Sequence, residues 1–180
     1  MENEVILVDE NDNSIGSMEK LKAHEKGVLH RAFSIFIYNS IGEVLLQKRA
    51  SEKYHSGGLW SNTCCSHPRP GETTKAAANR RLDEEMGMSA NLLHTFSFTY
   101  KSELDKGLTE HELDHVFIGF SDSTPNLNPI EAEDFCYIKP NLLEIELKNQ
   151  PEKYSAWLKI CFEELQQYTK NNKHQNKVGQ

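Results

Sequence analysis

A thiol, an imidazole and several carboxylates fall close together in this chain. Trp60-Ser-Asn-Thr-Cys-Cys-Ser-His-Pro68 is followed by Gly71-Glu72 and then by Arg80-Arg81-Leu-Asp-Glu-Glu-Met-Gly87. Asp83, Glu84 and Glu85 stand at the C-terminal end of the helix this last segment predicts. That end is the negative pole of the macrodipole, where each anion costs roughly 0.3–1 kcal/mol. A positive neighbour is therefore expected, and a divalent cation is the natural candidate. Arg80–Glu84 and Arg81–Glu85 also form i,i+4 pairs that support a helix by about 0.2–0.5 kcal/mol each.

Glu110-His-Glu112 is a second constellation. On a strand, i and i+2 share a face, so both carboxylates point the same way. The face continues through Asp114 into Val116, Ile118 and Phe120, acidic at one end and apolar at the other. It reads either as a strand emerging into solvent or as ligands at the mouth of a pocket. His24 and His30 lie across a Gly27 turn and, taken singly, read as surface histidines. His67 is held towards extended geometry by Pro68. Imidazole with carboxylate suits Zn, Mn or Fe, whereas Mg prefers oxygen and water.

The cysteines are Cys64, Cys65, Cys136 and Cys161, with no C-x-x-C spacing, which argues against a structural zinc site. Cys64 and Cys65, if extended, face opposite sides, so only one can enter a given cavity. Lys20, Lys22, Lys48, Arg49, Lys53, Arg80 and Arg81 form a solvated surface or, if they converge, a phosphate site.

The elements that must position these groups are legible from periodicity. Val5–Asp9 and Ser14–Met18 predict a hairpin, and Lys20–Lys26 a helical turn ending at Gly27. His30–Tyr38 and Glu43–Lys48 predict a second hairpin. Glu72–Met86 predicts a helix with Ala78, Leu82 and Met86 inward and Gly87 as its stop. Strands follow at Leu92–Tyr100, Glu110–Phe120 and Phe135–Ile138. Two helices follow at Asn141–Lys148 and Pro151–Thr169, the second packing through Tyr154, Leu158, Cys161 or Phe162, and Leu165. The order implies an α+β fold, an α/β/α sandwich around a mixed sheet. Residues 1–169 are expected to be a single domain and 170–180 a disordered tail.

The chain has 180 residues and a net charge of −7, from 20 basic and 27 acidic side chains. This balance argues against nucleic acid or an anionic membrane as partner. The acidic N-terminus does not resemble a signal peptide, and the cysteine pattern fits a reducing cytoplasm.

Glu72-x7-Arg80-x-Leu82-x-Glu84-Glu85-x-Gly87 resembles the Nudix box, with Ser66 where that family opens on Gly and Arg81 where it carries an acid. Together with His24, His30, Arg49-Ala-Ser-x-Lys53, Trp60-Ser-Asn-Thr-Cys-Cys-Ser-His-Pro68, Tyr100 and Glu110-His-Glu112, it resembles the type I isopentenyl-diphosphate isomerase family from about Lys20 to Trp157. The resemblance implies a Nudix-like fold and interconversion of isopentenyl and dimethylallyl diphosphates by a monomer without an organic cofactor. It implies a Mn or Zn site at His24, His30, His67, Glu110 and Glu112. Cys65 and Glu112 would be the catalytic pair, with Tyr100 as relay. Glu85 and the Cys65 main-chain carbonyl would hold Mg. Lys20, Arg49, Lys53 and Arg81 would bind the diphosphate, and Trp157, with Trp60 as a second candidate, would face the carbocation. A Nudix hydrolase of a nucleoside diphosphate is the alternative enzyme, and a non-catalytic diphosphate- or metal-binding regulator the second rival.

Overall fold

A computed structural model describes residues 3–53 and 55–178. Nine strands form one mixed sheet: β1 Glu4–Val8, β2 Ser14–Glu19, β3 His30–Tyr38, β4 Val44–Arg49, β5 Trp60–Ser61, β6 Cys64–Ser66, β7 Leu93–Glu103, β8 Thr109–Phe120 and β9 Ala132–Ile138. The helices are α1 Lys20–Lys26, α2 Thr74–Met86, α3 Pro140–Asn149 and α4 Ala156–Val178.

β3 organises the sheet because both its faces are buried. Phe33, Ile35 and Ile37 turn to one side and pack with Leu45, Ala78, Leu82, Met86 and Phe117, against α2. Phe36 turns to the other and packs with Leu46, Val116, Leu158, Cys161, Phe162 and Leu165, against α4. Alternation at period 2 in the strand thus separates two cores, and the expected sandwich follows. β3 and β8 run parallel, with His30 opposite Glu112 and Tyr38 opposite Phe120. β7 and β8 are antiparallel, with Tyr100 opposite Glu112.

The β3–β4 hairpin is narrower than expected. The two strands pair only at Tyr38 and Val44, then separate. β6 takes the antiparallel place on β3, opposite Phe33–Ile35, and β4 pairs with β5 and β9. The short strands β5 and β6 have no periodic signal and were not expected. α4 runs to Val178, past Thr169; through Asn171, the last residue on it whose burial is described, the final buried position is Leu165. Residues 179–180 of the expected tail lie outside the described residues.

α2 begins one residue after Thr73, whose side chain accepts from Ala76 N at 3.2 Å. Glu72 is left outside the helix and accepts from Arg80 Nε and Nη2, each at 2.8 Å. Gly87 caps the helix at φ 60° with its N–H on the Asp83 and Leu82 carbonyls. A Cβ there would meet Asn126 O at 2.5 Å. Gly87→Ala should therefore cost more than the roughly 1 kcal/mol of a left-handed alanine alone, read as a lower urea midpoint with unchanged slope.

Candidate active site

The site forms where α1, β3, β6, β7, β8 and α4 meet. Lys20, His24, Ser34, Arg49, His55, Cys65, Ser66, His67, Tyr100, Glu110, Glu112 and Trp157 line a small cavity of about 40 Å³. Trp60 is not on that wall; it packs with the α4-side core.

Three imidazoles converge on one carboxylate oxygen. Glu112 Oε1 lies 2.8 Å from His67 Nε2, 3.5 Å from His30 Nε2 and 4.0 Å from His24 Nε2. The ring Nδ1 atoms of His24 and His30 sit 2.7 and 2.8 Å from the carbonyls of Lys20 and Val28. A carbonyl only accepts, so these nitrogens carry the hydrogen and each Nε2 presents a lone pair inward. An outer N–H held by a carbonyl is the arrangement metal-bound histidines adopt. His24, His30, His67 and Glu112 offer ligand atoms all within 4.8 Å of one another, and His30 Nε2 is buried with no hydrogen-bond partner. This donor set fits a transition metal.

α1 can deliver His24 because both its ends are tied. Glu19 caps it by accepting from Leu21 N and Lys22 N, and Gly27 at φ 59° turns the chain into β3. Upstream, the β1–β2 turn is fastened to the sheet: Asp12, at φ 63°, accepts from Arg31 Nε at 2.6 Å and faces His115 Nε2 at 3.0 Å.

Glu110, the fifth expected ligand, shares the β8 face but lies outside the four-residue cluster. The Tyr100 hydroxyl lies 3.1 Å from Glu110 Oε2 and 2.7 Å from Glu112 Oε2. Burial and then the Glu112 charge push Glu110 well above the usual carboxylate range. Burial also opposes ionisation of Glu112, but the facing imidazoles of His30 and His67 outweigh it and hold that carboxyl well below its usual range. The two carboxyls are thereby split, one favouring the proton and one the charge. Tyr100 lies between them.

Cys65 lines the cavity, whereas Cys64 points into the α2-side core and is fully buried. Burial raises the Cys65 thiol well above its ordinary value; Arg49 opposes this, and Glu85, Glu110 and Glu112 reinforce it. The group is a thiol, not a thiolate, at neutral pH.

The acids at the end of α2 meet arginines. Arg81 reaches Glu84 at 2.9 Å and Glu85 at 2.7 Å, and Arg80 reaches Glu84 at 3.1 Å. Glu85 Oε2 accepts from Gln47 Nε2 at 2.8 Å, so both of its oxygens are engaged. Arg81 also contacts Glu131 at 3.1 Å, and Lys53 pairs with the same carboxylate. Lys53 and Arg81 therefore meet each other through Glu131 rather than on the cavity wall. Glu131 and His55 had no motif to announce them. Arg49 stacks its guanidinium carbon 4.9 Å from the Trp157 ring centroid.

The NUDIX domain family model matches residues 28–158. The isopentenyl-diphosphate Delta-isomerase 2 of Aromatoleum aromaticum is 52% identical over 165 residues, covering 92% of this chain and 87% of that protein. The isopentenyl-diphosphate Delta-isomerase of Pectobacterium atrosepticum is also 52% identical, covering 92% of each. The chain belongs to the isopentenyl-diphosphate Delta-isomerase family, within the NUDIX superfamily. Among solved structures, a Deinococcus radiodurans protein matches at TM-score 0.75 and 19% identity, covering 89% of this chain and 98% of its own. A MutT protein of Methanosarcina mazei matches at 0.63 and 20%, covering 81% and 96%. These two share the fold. In this member of the isomerase family, Lys20 and His24 lie before the first residue matched by the NUDIX model, so part of the cavity wall is built outside it.

His55 offers a pH test within this isomerase fold. Burial, then Arg49 and Lys20, lower its pKa to about 3. A depressed histidine stays neutral in the fold while the unfolded chain takes up a proton below about pH 6.5. Stability is thus complete above that pH and is lost as pH falls towards 3. His55→Gln should remove about 2 kcal/mol of acid sensitivity between pH 7 and pH 5, read as the difference in urea midpoints against the parent.

Proposed function

We propose that this cavity interconverts isopentenyl diphosphate and dimethylallyl diphosphate. The observation that carries the reading is that Cys65 and Glu112 share the wall of one small cavity, where burial favours the protonated thiol and the facing imidazoles favour the ionised carboxylate. The substrate's double bond is unactivated, so its terminal carbon must gain a proton and the carbon two positions along must lose one. The intermediate is a tertiary carbocation that water would trap, which demands a site closed to solvent. Cys65 and Glu112 form the acid and base pair: one gives a proton to the terminal carbon, the other takes one from the carbon two positions along, and the proton passes back between them before the next turnover. Tyr100 and Glu110 extend Glu112 into a short chain along which its proton can move.

The Trp157 ring stabilises the cation by its face, a contact worth about 2 kcal/mol when desolvated. This interaction raises kcat because it exists only once positive charge has formed. Lys20 and Arg49 reach the cavity and bind the diphosphate, with Lys53 and Arg81 joining when Glu131 yields them. The cavity must widen at its Arg49, His55 and Trp157 side to admit a five-carbon diphosphate.

A Mn²⁺ or Zn²⁺ held by His24, His30, His67 and Glu112, with Glu110 beside them, would supply positive charge that fixes Glu112 and keeps it ionised. Mg²⁺ accompanying the diphosphate would draw on Glu85, once Arg81 releases it, and on the Cys65 carbonyl. The reading carries with it a monomer in a reducing cytoplasm, in keeping with four free cysteines. No described helix is long and apolar enough to cross a membrane.

The test is an NMR time course with isopentenyl diphosphate and Mg in heavy water. Loss of the terminal alkene signals, a new methyl signal, deuterium uptake and no free phosphate are expected. Phosphate release from a nucleotide panel without alkene migration would move the chain to the hydrolases and sink the proposal.

A further inference from the structure

Behind the cavity wall runs a buried polar chain that the chemistry above does not use. Trp157 Nε1 donates to Ser61 Oγ at 2.7 Å. Ser61 Oγ lies 3.0 Å from Asn62 Oδ1. Asn62 Nδ2 reaches the carbonyl of Cys64 at 2.8 Å and that of Ile35 at 3.3 Å. Ser61, Asn62 and Ser155 are 0% exposed.

The chain can run in one direction only. An indole N–H donates and never accepts, so Ser61 Oγ must accept there. Two carbonyls at the far end accept and never donate, so the Asn62 amide must present its nitrogen to them. Its oxygen is then turned back to receive the Ser61 hydrogen. Ser155 Oγ lies 3.4 Å from Ser61 Oγ and accepts from Leu158 N at 3.3 Å, which anchors the start of α4 to the same node.

The two ends of this chain are informative. One end is the edge of the Trp157 ring, whose face already carries the Arg49 guanidinium. The other is the peptide joining Cys64 to Cys65 and the Ile35 carbonyl across from it, where β6 pairs with β3. Tethering the ring by its one polar atom fixes the tilt of its face. Clamping β6 to β3 fixes the backbone from which the Cys65 thiol projects. An apolar core would fill this space without a satisfied polar network.

We propose that Ser61 is a positioning residue of the isomerisation, coupling through one hydrogen-bond chain the orientation of Trp157 to that of the strand bearing Cys65. The inference rests on the isomerase reading, in which both groups address the reacting carbons. Displacement of either by a fraction of an ångström suffices to slow a step that depends on alignment.

Ser61→Ala tests this in the full-length, Mn-loaded enzyme. It should lower kcat by about tenfold to a hundredfold, with KM and bound Mn unchanged, and in the Zn-loaded protein, whose ion is diamagnetic, should move the Trp157 indole N–H resonance, assigned by its loss in Trp157→Phe. In the Trp157→Phe background, which keeps a ring but has no N–H, Ser61→Ala should cost much less than it does alone. Full additivity in that cycle, or an unchanged kcat in Ser61→Ala, would overturn the inference. If Ser61→Ala does not fold, Ser61→Cys decides, because a thiol is a poor acceptor: a reduced kcat with a shifted indole signal supports the coupling, and parental values refute it. An inactive wild type would refute the isomerase reading instead, so the two failures are distinct.

Discussion

Cys65→Ala should abolish turnover while the enzyme still binds its metal. The thiol lines the cavity beside Tyr100, Glu110 and Glu112, yet it is not one of the four residues whose ligand atoms converge. Removing it takes away a proton-transfer partner and leaves three imidazoles and a carboxylate in place. Loss of a positioned acid or base costs about 10²–10⁴ in rate, and the other protonated groups of the cavity, Tyr100 and Glu110, are already hydrogen-bonded into the Glu112 carboxylate or to each other. The check is kcat by alkene NMR alongside metal content by mass spectrometry. Retained activity would remove Cys65 from the chemistry. Cys64→Ala is the control: that side chain is fully buried in the α2-side core, so it should cost stability and leave kcat near the parent. A dead but folded Cys64→Ala would mean that the thiols have been assigned the wrong way round.

Glu112→Gln should remove metal and activity together. Its Oε1 is the point on which three Nε2 atoms converge, and its Oε2 lies 2.7 Å from the Tyr100 hydroxyl. An amide either turns an N–H₂ towards the imidazoles, offering them a donor, or turns it towards the Tyr100 oxygen and offers the imidazoles a neutral carbonyl. Neither orientation presents an anion. Even partners outside the ligand shell cost 10–100-fold in metal affinity when removed, so loss of a ligand anion should exceed about 100-fold. Titration with Mn²⁺ followed by activity measurement checks this. Parental metal affinity in Glu112→Gln would show that the histidines alone hold the ion.

The contrast between the two variants separates roles that a single activity assay would merge. One residue touches chemistry without holding metal. The other does both, and it does so because β8 places it opposite His30 in register on β3 and opposite Tyr100 on β7.

Much of this was readable in the residue order. β8 could be read as a two-faced strand because Glu110, Glu112 and Asp114 alternate with residues of the other face and then give way to Val116 and Ile118. The α2 stop was readable because Gly87 is the one residue type that takes the left-handed cap without strain. The helical stripe of α4 was readable from Leu158 to Leu165, whereas Tyr154, expected on it, is extended and precedes the helix. Less accessible were features that exist only through tertiary contact. β5 and β6 are too short to carry a period, and β6 is a strand because β3 has a free edge where β4 departs. His55 and Glu131 sit in loops and gain meaning from Arg49, Lys53 and Arg81, which are distant in sequence or belong to other elements. The acids of α2 were expected to call for a cation. Arg80 and Arg81, on the same helix, answer that charge directly, as the i,i+4 spacing allowed.

The fastened turn at Asp12 has a consequence for how the site comes into being. His24 reaches Glu112 from a segment that precedes the portion shared with the NUDIX model, and that segment is joined to the sheet by strand pairing at β1, by Asp12 on Arg31 and His115, and by the imidazole itself. A metal bound there would act as a clasp across the longest loop closure among its ligands, from His24 to Glu112, so that the arm and the sheet hold or release as a unit. Catalytic competence would then arrive late in folding, after the sandwich has closed and only when its first residues have docked onto it.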